Sequence, residues 1–177
     1  TPPRLPTFQK FPETTEYVMV RPLVQNAQVM ISFDGPTAAT SAKDTFSADM
    51  LISLLNVRSG KFYKRFVDSG LALDAGLSYP TQRYAGRLTV YAICEPEKVT
   101  EVKKKLLAEV VKWTDKDYFN NEQLEDVRRS LLINHKREVN SPSDFIKSLA
   151  FWWPVTGLDY YRSYLDNLAK TSLGDIA

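Results

Sequence analysis

The spacing of apolar residues changes along this chain in an order that leaves few folds open. From Leu71 to Tyr79 the residues alternate, with Leu71, Leu73, Ala75 and Leu77 on one side, and from Arg87 to Cys94 they alternate again through Leu88, Val90, Ala92 and Cys94. Successive side chains of a strand point to opposite faces, so both runs read as half-buried strands. Pro80 to Gly86 between them suits a hairpin loop, and Pro96 closes the second run. Two earlier runs are also β-like. Tyr17–Val20 is short and is cut off by Pro22, while Gln28–Phe33 ends at the turn signal Asp34-Gly35-Pro36.

Elsewhere the spacing is helical. Phe46, Met50, Leu51, Leu54 and Leu55 predict a helix from about Lys43 to Asn56, broken by Ser59-Gly60. A short one follows over Lys61–Asp68, with Phe62, Tyr63 and Phe66. The clearest amphipathic stretch is Glu97–Trp113, with Val99, Val102, Leu106, Val110 and Trp113 on one side. Asn120 or Asn121 can cap a helix starting near Glu122, whose stripe is Leu124, Val127, Leu131 and His135. Ser141-Pro142-Ser143-Asp144 predicts another start, running to Trp153, with Pro154 and Gly157 as breakers. Asp159 can cap a further helix to Ala169, and Thr171–Asp175 opens one more. The order is therefore two strands, two helices, two strands, then several helices. Paired strands with helices gathered beside them imply an α+β fold, an antiparallel sheet with a helical layer; a doubly wound sheet needs regular alternation.

Prolines 2, 3, 6 and 12 make residues 1–16 an expected linker from an upstream domain, with residues 17–177 as the domain itself. A start at Thr1 and an end inside a helix signal lead us to expect a fragment that lacks a final strand. One sheet edge is then open to pairing.

Several chemistries are excluded by counting. The chain holds one histidine, His135, and one cysteine, Cys94. A catalytic zinc takes about three protein ligands, usually including histidine, and both H-E-x-x-H and H-x-x-E-H need two histidines on one helix. No zinc or other cofactor is expected in this chain, and no disulfide within it can form. His135 is open to two readings, a general base or a residue at the core's edge, where it stands four after Leu131 in the stripe. Cys94 reads as a small buried hydrophobe. No G-x-S-x-G elbow and no glycine-rich phosphate loop is present. With 23 basic and 21 acidic residues, the charge balance gives no footprint for nucleic acid, and Lys103-Lys104-Lys105 reads as a solvated helix face. No apolar run reaches the roughly 20 residues of a membrane span. Phe151-Trp152-Trp153 is the densest aromatic cluster, a core contact, a domain contact or a binding wall.

Several segments line up in one order. Val29-Met30-Ile31-Ser32-Phe33-Asp34-Gly35-Pro36 precedes a long apolar helix. Ser59-Gly60-Lys61-Phe62-Tyr63-Lys64-Arg65-Phe66-Val67-Asp68-Ser69-Gly70-Leu71-Ala72 follows it, and then come a strand pair, a lysine-rich helix and Asn121-Glu122-Gln123-Leu124-Glu125. Over roughly residues 17–176 this resembles the non-catalytic, C-terminal-type domain of the pitrilysin/insulinase (inverzincin) zinc metallopeptidases. The resemblance implies a non-catalytic domain of a zinc endopeptidase that helps to enclose an extended peptide. The partner is then a homologous catalytic domain, in the same chain or in another subunit, which holds the zinc. Many members place an Arg and, about seven positions on, a Tyr that contact the bound peptide. Arg65 matches the Arg and is the candidate substrate contact, but the Tyr position falls on Ala72 or, with one insertion, Leu73. The alternatives are a structural or assembly domain from a member without peptidase activity, or a peptide-binding module. The bacterial periplasm or cell envelope is compatible with all three.

Overall fold

Three strands, β1 (Ala27–Gly35), β2 (Asp74–Ser78) and β3 (Gly86–Cys94), form an antiparallel sheet in the order β1-β3-β2 in a computed structural model that describes residues 13–176. Ile31 and Leu77 both lie opposite Val90, so this central residue is covered from two sides and fully buried. Alternation puts Val29, Ile31, Phe33, Ala75, Leu77, Leu88, Ala92 and Cys94 on the same inner face as Val90. The outer face carries polar pairs such as Ser32 and Thr89, whose hydroxyls are 2.9 Å apart. Gly86 is required where the two longer strands meet: a Cβ there would stand 1.8 Å from the Pro36 carbonyl oxygen.

Helix α1 (Ala42–Leu55), the short α2 (Lys61–Tyr63) and α3 (Val99–Lys112) cover the inner face. α2 runs on into a π-helical turn over Lys64–Asp68, and a 3₁₀ turn, Pro96–Lys98, leads into α3. Phe62, Phe66, Val102, Leu106 and Trp113 fill the core beneath the sheet. Burying side chains of this size contributes about 1.5–3 kcal/mol each. The other side of α1 builds a second core. Phe46, Met50 and Leu54 meet Leu124, Val127 and Leu168 from α4 (Asn121–Val139) and α6 (Leu158–Lys170). α5 (Pro142–Val155) and the short α7 (Leu173–Ile176) complete this helical layer. α1 is thus the wall shared by both cores. Of the two candidate caps, Asn120 starts α4: its side chain accepts from the Gln123 N–H at 2.8 Å, and the Gln123 side chain accepts from the Asn120 N–H at 3.0 Å.

The free side of β2 is closed by one side chain. The Asn56 carboxamide accepts from the Leu77 N–H and donates to the Leu77 carbonyl, both at 2.9 Å, so it pairs with β2 as a neighbouring strand would. Asn56→Ala leaves both backbone groups of a buried residue unpaired. A loss of about 2–3 kcal/mol is expected, measured as the shift of the urea midpoint at constant m-value.

The α+β expectation holds, with four corrections. Tyr17–Val20 is not a strand: it has no regular structure and lies exposed, with no described strand paired to it. β1 therefore pairs with β3, and only β2 and β3 form a hairpin. α5 runs through Pro154 and ends one residue later, at Val155. The break comes at Gly157, whose N–H bonds back to Trp152 and Trp153 and whose φ of 92° suits glycine. Asp159 consequently lies inside the first turn of α6, with Gly157 at the cap. The expected linker falls mostly on residues 1–12, outside the described residues; Glu13–Glu16 are exposed.

Candidate functional site

α3 carries one charge on its apolar side. Glu109 follows Leu106 by three positions, which points it inward, and only 3% of it is exposed. A carboxylate in that position needs partners. Tyr118, in the loop after α3, donates its hydroxyl to Glu109 Oε1 at 2.6 Å, and Arg65 Nη1, on the π-helical turn, donates to the same oxygen. Lys112 Nζ stands 3.5 Å from Oε2. Lys61 at the start of α2 donates to the Asp117 carbonyl, and the Lys61 and Arg65 cations each lie 5.6 Å from the centre of the Tyr118 ring. The bond to Glu109 pushes the Arg65 guanidinium further up, and burial beside that carboxylate does the same to the Tyr118 hydroxyl. Both therefore keep their protons throughout the ordinary range.

Around this cluster lies an open cleft of about 460 Å³, lined by Lys61, Arg65, Lys112, Lys116 and Tyr118 and also by Asp115 and Asp117. The cleft can hold polar or anionic groups. It has no nucleophile activated by a neighbouring base. Among the described residues no three His, Cys, Asp or Glu side chains lie where they could share a metal ion.

The other candidates fall apart from this cluster. His135 is half-buried on α4, its ring 5.6 Å from that of Tyr161. Cys94 is fully buried at the end of β3, and burial pushes its thiol up, away from the reactive thiolate. The aromatic cluster is divided: Trp152 stacks on Tyr160 at 5.5 Å, whereas Phe151 and Trp153 are exposed. Of the three lysines, Lys103 pairs with Glu16 at 2.6 Å and Lys105 with Glu101 at 2.7 Å, as on a solvated face.

Sequence reasoning singled out Arg65 as a candidate substrate contact, and did not single out Glu109 or Tyr118, the residues it meets. The Glu109 signal was legible: it is the one charge on the inward side of an otherwise apolar stripe. Tyr118 gave no such signal, because it stands in a loop without period.

A sequence-family profile described as the inactive domain of peptidase M16 matches residues 1–131. A search of curated proteins gives no match. Among solved structures, the inactive peptidase domain of a candidate zinc protease from Bordetella parapertussis aligns with a TM-score of 0.77 at 20% identity, over 90% of this chain and 86% of that one. A protease from Helicobacter pylori aligns with a TM-score of 0.78 at 18% identity, over 86% of this chain. The chain spans only 37% of that Helicobacter protein. The periplasmic protease PqqL from Escherichia coli aligns with a TM-score of 0.60 at 12% identity, over 87% of this chain and 17% of its own length. At these identities the likeness is one of fold.

Proposed function

This chain belongs to the inactive-domain family of the M16 peptidases, and on that premise we propose that it forms one wall of a peptide-enclosing chamber whose zinc chemistry is performed by a homologous catalytic domain. The observation that carries this reading is the inactive-domain match over residues 1–131, in a chain with a single histidine. The parent on this reading is a zinc metalloendopeptidase, and the domain's work in it is to bind and orient. The cleft at Tyr118 supports that role. Arg65 spends one guanidinium nitrogen on Glu109 and keeps its other N–H donors for a peptide carbonyl or carboxylate, with Lys116 beside it. The fold shared with a periplasmic protease supports a periplasmic or envelope setting.

The test is a photo-crosslinking map with an unstructured peptide that carries an acidic residue. Crosslinks gathered on Lys61, Arg65, Lys112 and Lys116, and reduced in Lys116→Glu, are expected. Crosslinks scattered over the surface, or none, would remove the substrate-holding role.

A further inference from the structure

The two cores meet along α1, and the junction is not apolar throughout. α4, α6 and α7 pack on α1, and α5 packs on α4 and α6. In this chain the last helices are lightly attached: α5 contributes no fully buried side chain, and α6 contributes only Leu168. What α6 presents to α1 is instead a pair of tyrosines. Tyr160 stacks on Phe46 with ring centres 4.7 Å apart, and its hydroxyl lies 2.7 Å from that of the fully buried Thr45. Tyr164, one turn further on, donates to Asp49 at 3.0 Å. Trp152 of α5 stacks on Tyr160 in turn.

Asp49 thus brings a carboxyl into this junction. Its second hydrogen bond comes from Thr81 on the β2–β3 loop, at 3.4 Å, so its side-chain partners among the described residues are two hydroxyls and no cation. The charges nearby do not compensate it. From α4 come Glu138, an anion that accepts from Tyr161 at 3.1 Å, and His135, whose ring lies 5.6 Å from that of Tyr161. Two cations reach the helical layer from the α1 side, Arg83 and Lys43, and they bind the Pro154 carbonyl and Asp175, each at 3.1 Å. An ionised carboxylate in such a place is costly until water reaches it, and burial accordingly pushes this carboxyl up. Tyr164, which covers it from α6, has to withdraw before water takes its place.

We propose that α5 and α6 form a hairpin that leaves α1 as a unit while the sheet and its core stay folded, and that the proton on Asp49 is the latch. With Asp49 neutral the hairpin is seated. With Asp49 ionised it opens more often, and Phe46, Met50 and Leu168 meet solvent. Both sides of the junction, α1 and α6, lie within the described residues. The latch is separate from the Tyr118 cleft and does not depend on the chamber role.

Hydrogen exchange of the whole chain, resolved by peptide and corrected at each pH for intrinsic rates, tests this. Amides of α6 around Tyr164 are expected to be at least roughly tenfold less protected than those of β3, the mark of an opening smaller than global unfolding. Their protection is expected to fall about fiftyfold from about pH 4 to about pH 7.5, as the seated state gives up the proton it holds. Asp49→Asn, close to the parent in shape, is expected to keep the gap between α6 and β3 but lose the fall. Equal protection of α6 and β3 would overturn the hairpin as a unit. No fall in the parent, or as large a fall in Asp49→Asn, would overturn Asp49 as the latch.

Discussion

Arg65→Ala is expected to destabilise the chain by about 2–3 kcal/mol, and Glu109→Gln by only about 1 kcal/mol, although each removes one member of the same ion pair. The asymmetry follows from burial. The Glu109 side chain is 4% exposed and the Arg65 side chain 44%. Without the guanidinium, a carboxylate is left inside the core with the Tyr118 hydroxyl and a more distant Lys112. Without the negative charge, the guanidinium turns to water, and the glutamine oxygen still accepts from Tyr118. Replacing both by apolar residues of similar size, Arg65→Met with Glu109→Leu, is expected to recover most of the loss, since the desolvation cost disappears with the pair. Urea denaturation of the parent and the three variants measures these differences. Equal losses in the two single variants would show that Glu109 is hydrated, and the cluster would then not tie α3 to the π-helical turn.

Asp49 gives the largest expected pH effect. It stands on α1 facing α6, where Tyr164 donates to it at 3.0 Å and Thr81 at 3.4 Å. Burial pushes its carboxyl up to about 6 from an ordinary 3.8, against the smaller pull of those two hydrogen bonds. The folded state therefore binds this proton more tightly than the unfolded chain does. Its contribution is fully present below about pH 4 and is lost as pH rises through 6, a change of up to about 3 kcal/mol. The groups around it, Tyr79, Tyr160 and Tyr164, are themselves pushed up and do not titrate in that window. Asp49→Asn removes the effect. The stability difference between variant and parent is expected to shift in the variant's favour by about 2–3 kcal/mol between pH 4 and pH 7.5. A difference independent of pH would mean that the carboxylate is solvated at the junction of the two cores.

Much of this architecture was legible where local spacing and tertiary packing agree. The Glu97–Trp113 stripe became α3 because one continuous side of it meets the sheet. Asn120 was one of two asparagines expected as the cap, and its reciprocal bonds with Gln123 select it. The failures came where a partner remote in sequence decides the outcome. Tyr17–Val20 has strand chemistry but no ladder beside it among the described residues, and α5 stops one residue after Pro154, where the Thr156 and Gly157 N–H groups close on Trp152. The candidate site divides in the same way. Arg65 was singled out through a resemblance, and Glu109 was findable as a charge on an apolar side. Their convergence with Tyr118 depends on a loop whose path no periodicity encodes. Asn56 as a surrogate strand was hidden for the same reason: its partner, Leu77, lies across the fold.

The central claim is that this domain works without chemistry of its own, and zinc stoichiometry tests it most directly. The purified chain would be equilibrated with zinc, dialysed and subjected to elemental analysis, with cleavage of a quenched fluorogenic peptide followed on the same sample. Zinc far below one per chain and no cleavage above buffer are predicted. One tightly held zinc per chain, with cleavage that a chelator abolishes, would contradict the account.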